Sequence, residues 1–451
     1  MTPGQDSGAL RREKLRDGLR KSIEGLEGIY PVDRYEGEVS IGKLRRRGVR
    51  AFADPTRSLT LMEDANGVLL WEDGAAMGRP VAGLRRGYRG TSSGPSGDII
   101  EHLVVEPLDP SEVGKTLTGF DRRLTPNQGL RQVVKGNLLP PDDNLRPVET
   151  GRILLFIHGT FSESKAILTQ LSNPANKVGR ALLGRAAKHY DQILAFDHPT
   201  LSVSPMLNAL DLARRLDATK ADIDVVCHSR GGLVTRWWLE AFDRPAGKRR
   251  AILVGAPLEG TSLAAPPRLK EILSWFSNLN KFLAGAASMI PFLTVVSCLA
   301  RLTATVTNVV AETPLVDAAI ALVPGLAAMS RTSNSFELSR LNMARAARPQ
   351  YYAIKSRYKP DDPGWKFWEY FVDKPLQRAA HSIFPGDNDL VVDTASMTVL
   401  ESVAAAGGGR KIGDIVPERV HDFGEGNEVC HTNYFAQAAT SQKIAEWLQI
   451  P

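Results

Sequence analysis

The chain has 451 residues, enough for two or three domains with a large core, and its hydrophobic and charged fractions of 43% and 24% are those of a globular protein. A formal charge of +6, spread over 56 basic and 50 acidic residues, is too dilute to mark nucleic acid as a partner. The densest basic run, KLRRRGVR at 43–50, has no aromatic interleaving and reads as a solvated edge or loop. Three scattered cysteines, Cys227, Cys298 and Cys430, exclude a disulfide framework.

Residues 1–28 read as a charged helix with a thin apolar stripe of Leu10, Leu15, Leu19, Ile23 and Leu26. They contain no apolar stretch of the secretory type, which predicts a cytoplasmic protein. Residues 29–115 turn to short alternating runs, SLTLM and VLLW about the Asp64–Gly67 turn and then IIEHLVVE, and predict a hairpin-rich β-module of unknown role. Residues 116–150, ending in prolines, read as a connector.

From Gly151 onward strands alternate with helices. RILLFI at 152–157 is an apolar run of the sort buried on both faces of a parallel sheet, and it stops at His158-Gly159-Thr160-Phe161. KVGRALLGRAAKHY, QILAFD, SPMLNALDLARRLDAT and IDVVCH then read as helix, strand, helix and strand, which is the signature of a mostly parallel, doubly wound sheet. After Arg250–Val254 the alternation lapses, and 266–342 reads as an inserted helical cap. Within it residues 282–300 carry no charge, close to the ~20 residues a membrane span requires, so contact with a membrane or lipid interface stays open beside the lid reading. The aromatic cluster Trp365, Phe367, Trp368, Tyr370 and Phe371 reads as packing, although an acyl pocket would use the same residue types.

The stretch with most chemistry is Cys227-His228-Ser229-Arg230-Gly231-Gly232. A β-branched run feeds it, and helical spacing follows it, so Ser229 stands at the apex of a strand–turn–helix elbow. Cys227 occupies the place where the G-x-S-x-G pattern has its first glycine. A serine hydroxyl is a weak nucleophile at neutral pH and needs a base, a group to orient the base, and donors for the oxyanion.

The ordered motifs HGTF, CHSRGG, GAPLEGT and GDNDLVV, then a late histidine before the terminal helix, make residues 151–451 resemble an α/β-hydrolase, nearest to bacterial lipases and esterases. PGLAAMSRTSNSFELSRLN at 324–342 is similar to the segment that closes the lid region there. No His, Cys or carboxylate cluster has metal-ligand spacing and no glycine-rich phosphate loop appears, so no cofactor or metal is expected. The resemblance implies an α/β-hydrolase fold and a serine hydrolase that cleaves carboxylic esters, with lipid-like acyl esters as the expected substrates. It implies Ser229 as nucleophile, His431 as base and Asp389 as the acid, the last through Gly386, Asp389 and Val392. The backbone N–H of Arg230 and that of Thr160 or Phe161 would form the oxyanion hole, supported by His158, Gly159, His228 and Gly231. Several alternatives stand beside this. His421 is a rival base, and Asp387 and Asp393 are rival acids. Asp197 reads as structural. Cys227 and Cys430 read as two buried small residues, or as a redox pair. The same fold hosts amidases, peptidases and thioesterases, and a silent scaffold acting through the N-terminal module is a further reading.

Overall fold

In a computed structural model of the chain, the residues described are 5–24, 29–31, 34–35, 38–39, 58–64, 69–73, 97–105, 113–243, 247–261, 300, 323–330, 335–343, 349–359, 387–404 and 410–451. They divide into two compact units, the first drawn from residues 1–114 with Ala300, the second from Lys115–Ala265, Val323–Pro363 and Val372–Pro451.

In the first unit, helix α1 (Gln5–Ile23) buries Leu19 and Ile23. Strands β1 (Ile29–Pro31), β4 (Ser58–Asp64), β5 (Leu69–Asp73) and β6 (Gly97–Val105) form an antiparallel sheet in the order β1-β6-β4-β5. Strands β2 (Arg34–Tyr35) and β3 (Glu38–Val39) make a separate short ribbon. Leu59, Leu61, Leu69, Trp71 and Leu103 fill the buried positions. Two buried acids, Glu63 and Glu101, are met by Arg12 and Arg20 of α1, so the charged helix supplies the counter-ions that burial of a carboxylate demands.

The second unit is built on eight strands in the order β16-β13-β12-β11-β9-β10-β7-β8. These are β7 (Gly129–Val134), β8 (Asn137–Leu138), β9 (Arg152–Ile157), β10 (Gln192–Asp197), β11 (Asp222–His228), β12 (Arg249–Val254), β13 (Gln350–Tyr358) and β16 (Val420–Gly426). Pairing is parallel from β16 to β10 and antiparallel at β7 and β8. A mixed sheet in this order, reversing direction at one edge, is an α/β-hydrolase-like fold. A hairpin of β14 (Val399–Ala404) and β15 (Arg410–Asp414) lies outside it.

Period-two alternation sends the two sets of side chains to opposite faces. Leu154, Phe156, Val226, Ile252 and Ile354 join α3 (Ser164–Ser172), α4 (Lys177–His189) and the last helix α9 (Ala438–Trp447) in one core, through Leu168, Leu182, Ile444 and Trp447. Ile153, Leu155, Ile157 and Val225 point the other way, and on that side α6 (Gly231–Trp237) packs on β9, β11 and β12 and on α5 (Pro205–Leu216). Both sets are almost without exposure, which is why RILLFI is apolar throughout rather than alternating.

Two expectations change here. Residues 116–150 are not a plain connector, since they contain most of α2 (Val113–Leu124) and two strands of the main sheet. The alternation in GLRQVV is hidden because one inward position is an arginine. Arg131 is 6% exposed and donates to Asp197 Oδ2 at 2.9 Å, which satisfies both charges and confirms nothing catalytic for Asp197. The expected cap lies outside the described residues as far as residue 322, Ala300 excepted. Its return is described as α7 (Pro324–Ala327) and α8 (Phe336–Leu341). The aromatic cluster at 365–371 is likewise outside them. Among the described residues, no helix is long and apolar enough to cross a membrane.

Candidate functional site

Strand β11 ends at His228, and the chain turns sharply through Ser229, whose φ of 53° is a strained value for a residue with a side chain. Two backbone bonds hold the turn: Ser229 N donates to Val254 O at 2.8 Å, and Gly232 N donates to Ser229 O at 2.8 Å. Arg230 is already helical, at φ −50° and ψ −29°, and α6 begins one residue later. The helix crosses so close to β9 that a Cβ on Gly231 would lie 2.6 Å from the carbonyl oxygens of Ile157 and His158. A Cβ on Gly159 would lie 2.7 Å from that of Ser229, which places the 158–161 loop directly beside the serine. At Cys227 the gap is wider. Its thiol reaches Ile252 O at 3.4 Å and has Thr235 of α6 within reach, so a sulfur fits where a glycine was expected. Burial pushes this thiol up to about 12, leaving it protonated and unreactive.

Asp389 is fully buried, and four hydrogen bonds fix its carboxylate. Oδ1 accepts from Val391 N at 3.1 Å and Val392 N at 2.9 Å, while Oδ2 accepts from His431 Nδ1 at 2.8 Å and the Tyr434 hydroxyl at 3.0 Å. The backbones are joined too, His431 N donating to Asp389 O at 2.9 Å. A carboxylate only accepts, so the proton of a neutral His431 is on Nδ1 and its lone pair on Nε2. His228 sets the distance between this pair and the elbow, because its Nε2 donates to His431 O at 2.8 Å and its ring lies 4.7 Å from the His431 ring. Gly255, with φ 56°, seals the other side. A Cβ there would stand 2.9 Å from Tyr434, 3.2 Å from Asp389 Oδ2 and 3.3 Å from His431 Nδ1. Ser229, Asp389 and His431 thus converge at the carboxyl ends of β11 and β12. Among the described residues, the hydrogen bonds of His431 run through Nδ1, N–H and the carbonyl oxygen, and none joins it to Ser229. Such contacts often tighten only when substrate is bound.

The rival residues lie elsewhere. Asp387 is exposed, 3.7 Å from Arg357, and Asp393 bridges Asn388 at the start of a short 3-10 turn; neither bonds to His431. His421 is on β16 opposite Ile354, packed on Phe423, with Lys443 and Glu446 of α9 as its charged neighbours. Cys430 bonds to Thr432 at 3.5 Å, apart from the partners of Cys227, and its thiol is also pushed up by burial.

The 158–161 loop is braced from beneath. His158 Nδ1 donates to Gly159 O at 2.8 Å, and its Nε2 accepts from His198 N at 3.0 Å, so both ring nitrogens are taken and the imidazole is neutral. Burial lowers the affinity of His158 for a proton, and Asp197 opposes this only in part. His198 stacks on it with ring centroids 4.1 Å apart. Thr160 Oγ1 donates to Met329 Sδ at 3.3 Å, and Phe161, at φ 54°, points its N–H toward Thr200 Oγ1 at 3.4 Å. The Arg230 side chain leaves the site: it is wholly buried, donates to Val203 O at 2.5 Å, and is pulled down to about 10 by desolvation against the opposing influence of Asp121 and Glu337.

Two residues that sequence reasoning passed over shape the site. Asp121 of α2 accepts from Thr200 N, Leu201 N and Ser202 N at 2.7, 2.9 and 2.7 Å, and so holds the loop that meets Phe161. Its position four residues after Leu117 and one after Phe120 puts an acid on the apolar face of a helix, which is a readable signal. Tyr434, three residues after His431, gave no signal beyond being an aromatic at a helix start.

Among solved structures, the chain is similar to a Bacillus licheniformis lipase, BlEst2, in its propeptide form: 11% identity, TM-score 0.36, covering 71% of this chain and about half, 53%, of that one. It is similar to lipase 1 from Pelosinus fermentans at 13% identity and TM-score 0.37, covering 66% and 98%, and to MenH from S. aureus at 14% and 0.34, covering 67% and 96%. No curated protein matches the sequence. Residues 125–449, from the turn before β7 through α9, match the family described as a domain of unknown function, DUF7379, and the chain belongs to that family.

Proposed function

We propose that this protein is a serine hydrolase of carboxylic esters, with lipid-like acyl esters as substrates. The observation that carries the reading is the His431 Nδ1 to Asp389 Oδ2 hydrogen bond, 2.8 Å long, standing beside a serine held at φ 53° at the end of a central strand. In this reading His431 Nε2 takes the proton of Ser229 Oγ as the oxygen attacks the ester carbonyl. The N–H groups of Arg230 and of Thr160 or Phe161 receive the developing oxyanion, and the N-terminus of α6 favours the same charge. His431 returns the proton to the departing alcohol, leaving an acyl-Ser229. Water, deprotonated by His431, then releases the acid and restores the serine. Asp389 keeps the imidazole in the Nδ1–H form and faces the imidazolium that appears twice per turnover.

The lipid-like part of the proposal rests on the uncharged stretch 282–300 and is the part the substrate panel decides. Purified protein, beside Ser229→Ala, is treated with a fluorophosphonate probe and with acyl esters of increasing chain length, an anilide and a thioester. Labelling and turnover confined to wild type, rising with acyl length, are expected. Activity only on short esters, the anilide or the thioester would replace the substrate class. No labelling and no turnover of any substrate would remove the enzyme reading.

A further inference from the structure

The phenol of Tyr434 is wholly buried, in the wall behind the Asp389–His431 pair, and its neighbours are unusual for a core tyrosine. Its oxygen lies 3.0 Å from Asp389 Oδ2, the same oxygen that receives His431 Nδ1, and 2.8 Å from Ser356 Oγ on β13. The proton directions follow from the donors available. Asp389 can only accept, so the single hydroxyl proton of Tyr434 points to Oδ2, and Ser356 Oγ–H must then donate to the phenol oxygen. This gives a directed chain of Ser356, Tyr434, Asp389 and His431 in which each donation strengthens the next. Oδ1 is held separately by Val391 N and Val392 N, so the carboxylate cannot turn to offer His431 its other oxygen.

We propose that Tyr434 is a positioning residue for the base, fixing Asp389 Oδ2 against His431 and moderating how strongly that oxygen holds the imidazole proton. The proposal rests on the hydrolase reading given above, in which His431 is the base. A phenol donating to Oδ2 withdraws charge from the atom that must stabilise the imidazolium. Loss of that donation should therefore strengthen the hold of Oδ2 on the imidazole proton. The other titratable groups facing His431 among the described residues are His228, from β11, and Cys430, beside it in the chain. Burial pushes His228 down to about 3 and Cys430 up, so neither changes charge near neutral pH.

The test uses the full chain with Tyr434→Phe and Ser356→Ala. The imidazole of His431 is titrated by NMR in histidine-labelled protein, its resonance identified by its loss in His431→Gln. Removing the phenol proton is expected to raise the midpoint by roughly half a pH unit or more, and Ser356→Ala, which only weakens the donation, to raise it by less. On a turned-over ester, Tyr434→Phe is expected to lower kcat roughly tenfold with KM little changed, and the acidic limb of the kcat/KM profile should move up with the NMR midpoint. A midpoint unmoved in both variants, with only the melting temperature lowered, would make Tyr434 a core residue and overturn the proposal. If Tyr434→Phe fails to fold, Ser356→Ala decides alone, because the ring stays in place. The titration needs no turnover, so absence of ester hydrolysis in wild type would count against the hydrolase reading and leave the Tyr434 result to stand or fall by itself.

Discussion

Among the described residues of the second unit, two aspartate–histidine pairs, Asp197–His158 and Asp389–His431, differ in what the protein has done with the histidine. Asp197 lies 3.8 Å from His158 Nε2, but its charge is matched by Arg131 and by Ser164 N at 2.7 Å, and both nitrogens of His158 are engaged by the backbone. Among the described residues, Asp389 has no arginine partner. Its carboxylate accepts instead from two peptide N–H groups, a phenol and an imidazole. A carboxylate neutralised by a permanent cation stabilises structure. One held by dipoles keeps its charge available for a cation that forms and disappears, as the proposed base would require.

Exchanging each acid for its amide separates the two pairs most sharply. Asp389→Asn should leave the fold standing and lower kcat by roughly a thousandfold or more, since the amide no longer favours the Nδ1–H form of His431. Asp197→Asn should leave the rate per folded molecule nearly intact. Its cost should be about 3 kcal/mol or more in a urea melt, because Arg131 stays buried without its partner. Equal rate losses in the two variants would erase the distinction.

Gly255 supports only the open pair. Gly255→Ala forces a Cβ into the contact with Tyr434 at an unfavourable φ, and should cost about 1–3 kcal/mol together with a loss of kcat. A stable, fully active variant would mean that the Asp389–His431 geometry tolerates displacement.

Acid should affect the buried histidines through stability. His158, His198 and His228 all have their proton affinity lowered by burial, so the unfolded chain binds more protons than the native one once pH falls below the ordinary value of about 6.5. Native stability is therefore fully present above that value and declines as pH drops, for His228 down to its folded value of about 3. Urea melts at pH 7, 6 and 5 should show the decline, and His228→Gln, which keeps a donor for His431 O, should flatten it. The smallest effect is expected at Cys227. Replacing it by glycine should change stability by about 1 kcal/mol through a small void and a looser strand, with activity retained.

Much of the second unit could be read in advance because its cause is local. Apolar runs of 5–6 residues separated by amphipathic helical stretches have few ways to bury themselves other than a wound parallel sheet, and the residues at the strand ends then meet at one edge. Ser229, Asp389 and His431 could be named on that sheet through the resemblance of their motifs to those of α/β-hydrolases. β7 was not legible, since its inward arginine is acceptable only where Asp197 of another strand meets it. Of the three nearby carboxylates Asp387, Asp389 and Asp393, it is Asp389 that bonds His431, a fact only the folded arrangement gives. Sequence alone determined the elbow, the order of the motifs and the class of sheet, because these follow from side-chain size and periodicity. Tertiary structure decided which nitrogen of His431 faces Asp389, that the Arg230 side chain turns away, and that Tyr434 bonds Asp389 and Asp121 holds the loop at Thr200–Ser202, because each depends on partners supplied by distant parts of the chain.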